Sequence, residues 1–248
     1  MSSISSSSCR LRNAVLVIKE GLTNMYKGFV FDLDGTLVDS LPGLTEGLNR
    51  ALKAQGYPPY PAETVATMVG KGARELCRSA LKAFRKSKGE VSDDDVMCLY
   101  AEFGREYPHT WQGGTTPFEG IIPMLRELSD GGARLAVLSN KPHDVTRPLV
   151  LDKLPGIPLD PILGFSSEFP RKPDPSSLFH IIESWGLTPA DVCMVGDSAH
   201  DGNTAVNAGT GLVLVDWGYS TRDALESFRV PVCESVAELR SILVGSRV

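Results

Sequence analysis

Phe29-Val30-Phe31-Asp32-Leu33-Asp34-Gly35-Thr36-Leu37-Val38-Asp39-Ser40 decides how the rest of this chain is read. A short apolar run ends in two aspartates one residue apart, followed by Gly-Thr. Physically this is a buried strand that delivers carboxylates to a sharp turn. Two carboxylates held this close repel each other unless a cation or a shared proton compensates. A divalent metal ion would solve that problem and would draw an anionic substrate onto an anionic site.

Downstream of that strand the periodicity changes. Leu44, Leu48, Ala51 and Leu52 fall at helical spacing, and Gly56-Tyr57-Pro58-Pro59 stops the helix. Leu76, Ala80, Leu81 and Phe84 mark a second helix. A third starts at Ser92-Asp93-Asp94-Asp95, with acids on the positive end of the helix dipole, and continues through Val96, Leu99, Tyr100 and Phe103. Gly113-Gly114-Thr115-Thr116-Pro117 closes this all-helical stretch. Beyond it strands and helices alternate. Leu135–Leu138, Pro161–Phe165, Val192–Val195 and Leu212–Val215 read as strands, with helices near 121–128, 145–154, 178–185 and 235–243. Alternation of this kind predicts an α/β fold, a doubly wound parallel-sheet (Rossmann-like) core with helices on both faces. Residues 26–41 and 117–248 form that core, residues 42–116 an inserted helical domain, and residues 1–25 a serine-rich tail. In such sheets ligands sit at the carboxyl ends of the strands.

The residues that follow each strand share a chemistry. Asp32 and Asp34 follow the first; Ser139-Asn140-Lys141-Pro142 follow Leu135–Leu138; Gly196-Asp197-Ser198-Ala199-His200-Asp201 follow Val192–Val195. Arg171-Lys172-Pro173 lies between the last two groups. Taken singly, Ser139-Asn140 also reads as a helix N-cap, Lys172 as a loop charge, and Asp201 as the cap of a helix starting near Thr204. Together, acids, a hydroxyl and a lysine converge on one edge of one sheet.

Order and spacing of these groups over residues 28–215 resemble the four motifs of the haloacid dehalogenase superfamily, which is dominated by phosphatases. The resemblance implies that Asp32 is a nucleophile forming an aspartyl phosphate, and that Asp34 is first general acid and then general base. It implies that Ser139 and the backbone at Asn140 hold the transferring group, and that Lys172 neutralises phosphoryl charge while keeping Asp32 ionised. Gly35, Thr36 and Lys141 join the phosphate- and substrate-binding positions. Asp32, Asp34 (through its backbone carbonyl), Asp197 and Asp201 are the implied metal-site residues. Mg²⁺ is the implied ion, because the donors are hard oxygens. Dehalogenases of the superfamily do not need the acid at Asp34, so its presence favours phosphoryl transfer.

A helical insert between the first and second motifs occupies the place of the family's helical cap, which closes over a small molecule and excludes water. Asp39-Ser40-Leu41-Pro42-Gly43-Leu44, Val69-Gly70-Lys71-Gly72-Ala73-Arg74 and Ser139-Asn140-Lys141-Pro142 resemble the phosphoglycolate phosphatases. That resemblance implies 2-phosphoglycolate as substrate, with Lys71 and Arg74 reaching a substrate carboxylate. The same opening motif is shared by sugar-phosphate phosphatases and β-phosphoglucomutase-like phosphomutases. A non-catalytic binder of phosphometabolites is a further alternative, but it has no need of both Asp32 and Asp34.

Composition sets the outer limits. The 248 residues, 42% hydrophobic and 22% charged, are those of a soluble globular protein, and a net charge of -5 argues against non-specific nucleic-acid binding. No apolar run approaches the ~20 residues of a membrane span. The cysteines (Cys9, Cys77, Cys98, Cys193, Cys233) form no Cys-x-x-Cys pair and read as thiols of a reducing compartment. Six of the first eight residues are serine, Arg10 and Arg12 follow, and the first acid is Glu20. This reads as a disordered tail on a cytoplasmic protein or as an organelle transit segment, with Met25 an alternative start. The core and the insert can account for every amphipathic face, which leaves monomer and homodimer both open.

Overall fold

Gly28–Phe31 forms β1, buried along its whole length. The computed structural model describes residues 26–84 and 90–245, so the tail of residues 1–25, its targeting reading and Cys9 lie outside the described residues. In chain order β1 is followed by β2 (Val38–Asp39), α1 (Leu41–Ala54), α2 (Ala62–Ala66), α3 (Ala73–Phe84), α4 (Asp93–Glu106) and β3 (Thr116–Pro117). Then come α5 (Ile121–Asp130), β4 (Arg134–Pro142), α6 (His143–Lys153), β5 (Leu159–Phe165), α7 (Ser176–Ser184), β6 (Val192–Gly196) and α8 (Ala199–Ala208). β7 (Gly211–Val215), α9 (Arg222–Glu226), β8 (Val232–Cys233) and α10 (Val236–Gly245) complete the described chain.

Six strands pair in the order β5-β4-β1-β6-β7-β8, every pair parallel. Alternation along β1 splits the core into two layers. Phe29 and Phe31 pack with Met124 and Leu128 of α5 and Leu239 and Leu243 of α10. Val30 faces the other way, onto Leu178 and Ile181 of α7 and Ala205 of α8. A central strand covered on both faces has no polar side to show, hence the apolar run ahead of Asp32. Each large side chain buried in this way stabilises the fold by about 1.5–3 kcal/mol. The chain leaves β1 for β4 on one side and returns to β6 on the other, so the strand order reverses beside β1. The crevice at that switch point is where the C-terminal ends of β1, β4 and β6 meet.

α1, α3 and α4 bury a separate apolar cluster of their own, including Leu48, Leu52, Leu81 and Leu99. Ser92 and Asp95 form a reciprocal capping box at the start of α4, where the sequence predicts a helix start. The insert joins the sheet through β2 and β3, which pair antiparallel. Neither is anticipated from the sequence, since a two-residue strand leaves no periodicity to read; the same holds for β8 and the five-residue α9. One boundary differs in a way that matters for the site. Ser139–Pro142 are the last residues of β4 and not a loop beyond it, because β5 extends far enough for Phe165 to pair with Pro142, across a register irregularity after Leu138. Of the described cysteines, Cys77, Cys193 and Cys233 are buried thiols and Cys98 is exposed.

Candidate active site

Asp32 continues the line of β1, its N–H donating to the Val195 carbonyl at 2.8 Å. The turn that follows closes on itself: the Gly35 N–H reaches the Val38 carbonyl at 2.9 Å, and Gly35 holds a φ of +84° that L side chains rarely adopt. A Cβ at Gly35 would also lie 2.5 Å from Asp197 Oδ2, and one at Gly218 2.2 Å from the same atom. Two glycines therefore let backbone close around the Asp197 carboxylate at the end of β6.

Asp201 sits in the first turn of α8 and is fully buried. Its Oδ2 accepts from the Ser198 N–H at 3.0 Å and the Ser198 hydroxyl at 2.5 Å, and its Oδ1 accepts from Lys172 Nζ at 2.6 Å. Asp201 does not cap a helix starting near Thr204: α8 begins at Ala199 with Ser198 as its N-cap, and Asp201, inside its first turn, completes a reciprocal capping box with Ser198 while also forming part of the site. Lys172 Nζ reaches Asp32 Oδ1 at 2.8 Å as well. Its position is set by Asn140, whose Oδ1 accepts from the Lys172 N–H at 2.8 Å.

Asp32, Asp197 and Asp201 each offer a carboxylate oxygen, all within 4.8 Å of one another, and all three residues are buried. Burial pushes the Asp32 carboxyl up to about 7, against the pull of Lys172 and with a further push from Asp201 and Asp34. Burial, then Asp32 and Asp201, hold Asp197 well above the usual carboxylate range. Burial alone would lower the Lys172 ammonium, but Asp201 and Asp32 more than offset it and hold it above its ordinary value. Three buried acids against one lysine leave a surplus of negative charge, and the donors are hard oxygens. That set fits a small divalent cation.

The Asp34 side chain turns away from the three acids. Its Oδ2 pairs with Lys141 Nζ at 3.0 Å, while its Oδ1 is buried with no hydrogen-bond partner among the described residues. Lys141 Nζ also donates to the Tyr107 hydroxyl at 2.9 Å. Burial would lower this ammonium too, but Asp34 and Tyr107 hold it above its ordinary range. Ser139 is buried, its Oγ accepting from the Lys141 N–H at 3.2 Å. Thr36 is fully buried, with no hydrogen-bond partner for Oγ1 among the described residues. A cavity of about 260 Å³ opens between these residues and the helical insert, walled by Asp32, Asp34, Ser139 and Lys141 on the sheet side and by Val69, Leu76, Phe103 and Tyr107 opposite.

Lys71 and Arg74, singled out from the sequence as reaching into the site, are not among the residues that wall this cavity. Lys71 is exposed, and Arg74 pairs with Asp93 at 3.5 Å. The neighbouring glycines do approach the core: a Cβ at Gly72 would lie 3.1 Å from the Asn140 carbonyl, and Asn140 Nδ2 donates to the Gly70 carbonyl at 3.1 Å. The stretch 70–72 is thus an insert-to-core contact made by backbone. His200, in the first turn of α8, is driven down from its ordinary pKa by burial.

Two residues at the site were not assigned a role from the sequence. Tyr107 follows the end of α4 and stacks on Phe103 with ring centroids 5.0 Å apart, so it reads in sequence as one more apolar-face aromatic. Tyr219 ties the start of α1 to the acids. Its hydroxyl accepts from the Ser40 and Leu41 N–H groups at 2.9 and 3.1 Å and donates to Asp39 Oδ1 at 3.1 Å, while its own N–H donates to Asp197 Oδ2 at 2.8 Å. The available signal was its place just beyond β7, after Trp217-Gly218, on the same sheet edge as the acids.

Residues 26–209 match the sequence profile of the haloacid dehalogenase-like hydrolases. The chain belongs to that family. A protein named phosphoglycolate phosphatase from Rhodospirillum rubrum is 34% identical over 216 residues, 87% of this chain and 90% of its own length. Phosphoglycolate phosphatase 1 of Pseudomonas aeruginosa is 32% identical over 80% of this chain and 72% of its own. Among solved structures, a predicted phosphoglycolate phosphatase from Haemophilus somnus 129pt superposes with a TM-score of 0.81 at 29% identity, covering 89% of this chain and 99% of that one. Among the described residues of this haloacid dehalogenase-like hydrolase, no helix is long and apolar enough to cross a membrane.

Proposed function

We propose that this hydrolase is a phosphatase of small phosphate monoesters, with 2-phosphoglycolate as its leading substrate, yielding glycolate and inorganic phosphate. The observation that carries the reading is the pair of carboxylates one residue apart with divided partners. Asp32 is held by Lys172 beside Asp197 and Asp201, and Asp34 is pinned through Oδ2 by Lys141, leaving Oδ1 without a partner among the described residues. A dehalogenase has no use for that second acid. The relatives named phosphoglycolate phosphatase, similar over most of their length, support the choice of substrate.

In this reading Asp32 attacks phosphorus and the P–O bond to the leaving group breaks, while Asp34 Oδ1 gives its proton to the leaving oxygen. The product is an aspartyl phosphate on Asp32. Water then attacks phosphorus, Asp34 takes its proton, and Asp32 is released with inorganic phosphate. Lys172 and Ser139 stabilise the charge on the transferring group, and Lys172 keeps Asp32 ionised for attack. Asp32, Asp197 and the Asp34 backbone carbonyl would hold Mg²⁺, with Asp201 setting the surroundings through Lys172. When bound, Mg²⁺ supplies positive charge that offsets both the clustered acids and the phosphoryl oxygens.

Residues 42–116 serve as a cap hinged at β2 and β3. Phe103, Val69 and Leu76 on its inner wall exclude water from the ester, and the 260 Å³ cavity admits a small metabolite and no macromolecule. The test is the rate of phosphate release with Mg²⁺ across a panel of small phosphate esters, with a chelator control. A preference in kcat/KM for 2-phosphoglycolate is expected; metal-independent release, or none from any ester, would overturn the proposal.

A further inference from the structure

We infer that Lys141, positioned by Tyr107, forms the subsite for a carboxylate carried one carbon beyond the ester carbon, so that the site selects phosphate esters of 2-hydroxy carboxylic acids. The inference rests on the phosphatase reading above and adds the feature that chooses among phosphate esters.

Among the cavity-lining residues Asp32, Asp34 and Asp144 are acids and Lys141 is the one lysine or arginine. Lys172, held by Asp32 and Asp201 and not among the lining residues, serves the phosphoryl group. Among these lining residues a second anionic group on the substrate has a single cationic side chain to meet. Lys141 is buried, and an ammonium has three N–H donors: one goes to Asp34 Oδ2, one to the Tyr107 hydroxyl, and no hydrogen bond occupies the third among the described residues. The Tyr107 ring adds to its placement, with Nζ 4.8 Å from the ring centroid, and the stacked Phe103 keeps the phenol from turning away.

Distance supports the assignment. Asp34 protonates the ester oxygen, so that oxygen lies beside Asp34, and Lys141 Nζ is 3.0 Å from the Asp34 carboxylate. In an O–CH₂–COO⁻ fragment, three bonds of about 1.2–1.5 Å separate the ester oxygen from the nearer carboxylate oxygen, placing them about 3 Å apart. A carboxylate one carbon past the ester carbon therefore reaches Lys141 while the ester oxygen stays with Asp34. A simple alkyl ester leaves this buried ammonium without that partner, and the rest of the insert wall is too apolar to compensate (Val69, Leu76, Phe103).

The experiment compares kcat/KM for 2-phosphoglycolate with that for ethyl phosphate, which replaces the carboxylate by a methyl group. In the wild type the ratio is expected to be ~100 or more, the scale of a charge-assisted hydrogen bond. Lys141→Met is expected to bring it near unity, and Tyr107→Phe, which keeps the ring and its stacking, to lower it several-fold. Calorimetry with 3-phosphonopropionate against propylphosphonate makes the same comparison without turnover, and Tyr107→Phe alone decides the matter if Lys141→Met does not fold. A ratio that survives both substitutions, both rates falling together, would mean that Lys141 only orders Asp34 and would overturn the inference. Wild type that hydrolyses both esters equally overturns the inference and leaves the phosphatase reading standing. Wild type that hydrolyses neither overturns both.

Discussion

Lys172→Met removes the one cation shared by two of the buried acids. Methionine matches the length of the lysine stem, so the change deletes charge with little change in shape. Lys172 Nζ lies 2.8 Å from Asp32 Oδ1 and 2.6 Å from Asp201 Oδ1, and Asp201 is fully buried. Breaking a buried ionic network on one side costs about 3–5 kcal/mol, because the remaining charges stay desolvated and uncompensated. In a chain of this size each kcal/mol moves the melting temperature by about 2–4 °C, so a loss of about 6–20 °C is expected at pH 8 in chelator. The loss shrinks toward acid pH. Asp32 already titrates near 7 in the fold against an ordinary value of 3.8, so its protonated form favours the folded state. That stabilisation is full below about pH 4 and disappears as pH rises through 7. Without Lys172 the folded-state value moves higher still, and below it the acids take protons in place of the lost cation. Thermal melts of wild type and variant at pH 5 and pH 8 measure the difference. A loss of equal size at both pH values, or none at pH 8, would refute the view that Lys172 is chiefly a counter-ion to buried carboxylates.

Three further outcomes are expected. Asp32→Asn should abolish turnover while the fold melts at or above the wild-type temperature, because it removes one of the clustered charges; residual metal-dependent turnover would show that Asp32 is not the nucleophile. Mg²⁺ at ~100 times its dissociation constant should stabilise wild type by about 2.7 kcal/mol at pH 8 and by less at pH 5, where raised Asp32 and Asp197 hold protons that compete with the ion; differential scanning calorimetry would contradict this if the shift did not depend on pH. Tyr219→Phe leaves the Ser40 N–H without its acceptor, costing about 1–3 kcal/mol, and by loosening the link to Asp197 should raise the Mg²⁺ concentration needed for half the thermal shift. An unchanged metal titration would reduce Tyr219 to a packing residue.

The architecture was legible because it is written in local patterns. A strand buried on both faces must be apolar throughout, so Phe29-Val30-Phe31 announces a central strand, and the later alternation of strands and helices leaves a parallel sheet as the only economical arrangement. Ser92 and Asp95 mark a helix start through hydrogen bonds within four residues. Asp32, Lys172, Asp197 and Asp201 were legible for a different reason. Each is an ionisable residue in a segment that follows a strand of one sheet, and the parallel topology brings those segments to one edge.

What the sequence by itself determined, then, was which elements form, which edge of the sheet gathers the acids, and what class of chemistry they suit. Tertiary structure decided how those side chains are shared out. Asp32 and Asp34 flank a single residue, and a continuing strand would turn both to one face, yet one faces Lys172 and the other Lys141, because the chain bends out of the extended conformation directly after β1. Tyr107 reaches Lys141, and Tyr219 reaches Ser40 and Asp39, through contacts 34 and about 180 residues apart that no periodicity encodes. For the same reason Lys71 and Arg74, whose spacing beside two glycines suggested an anion site, lie outside the cavity wall. Periodicity tells which face of an element is buried, but only the packing of the insert against the sheet decides which of its side chains meets the substrate.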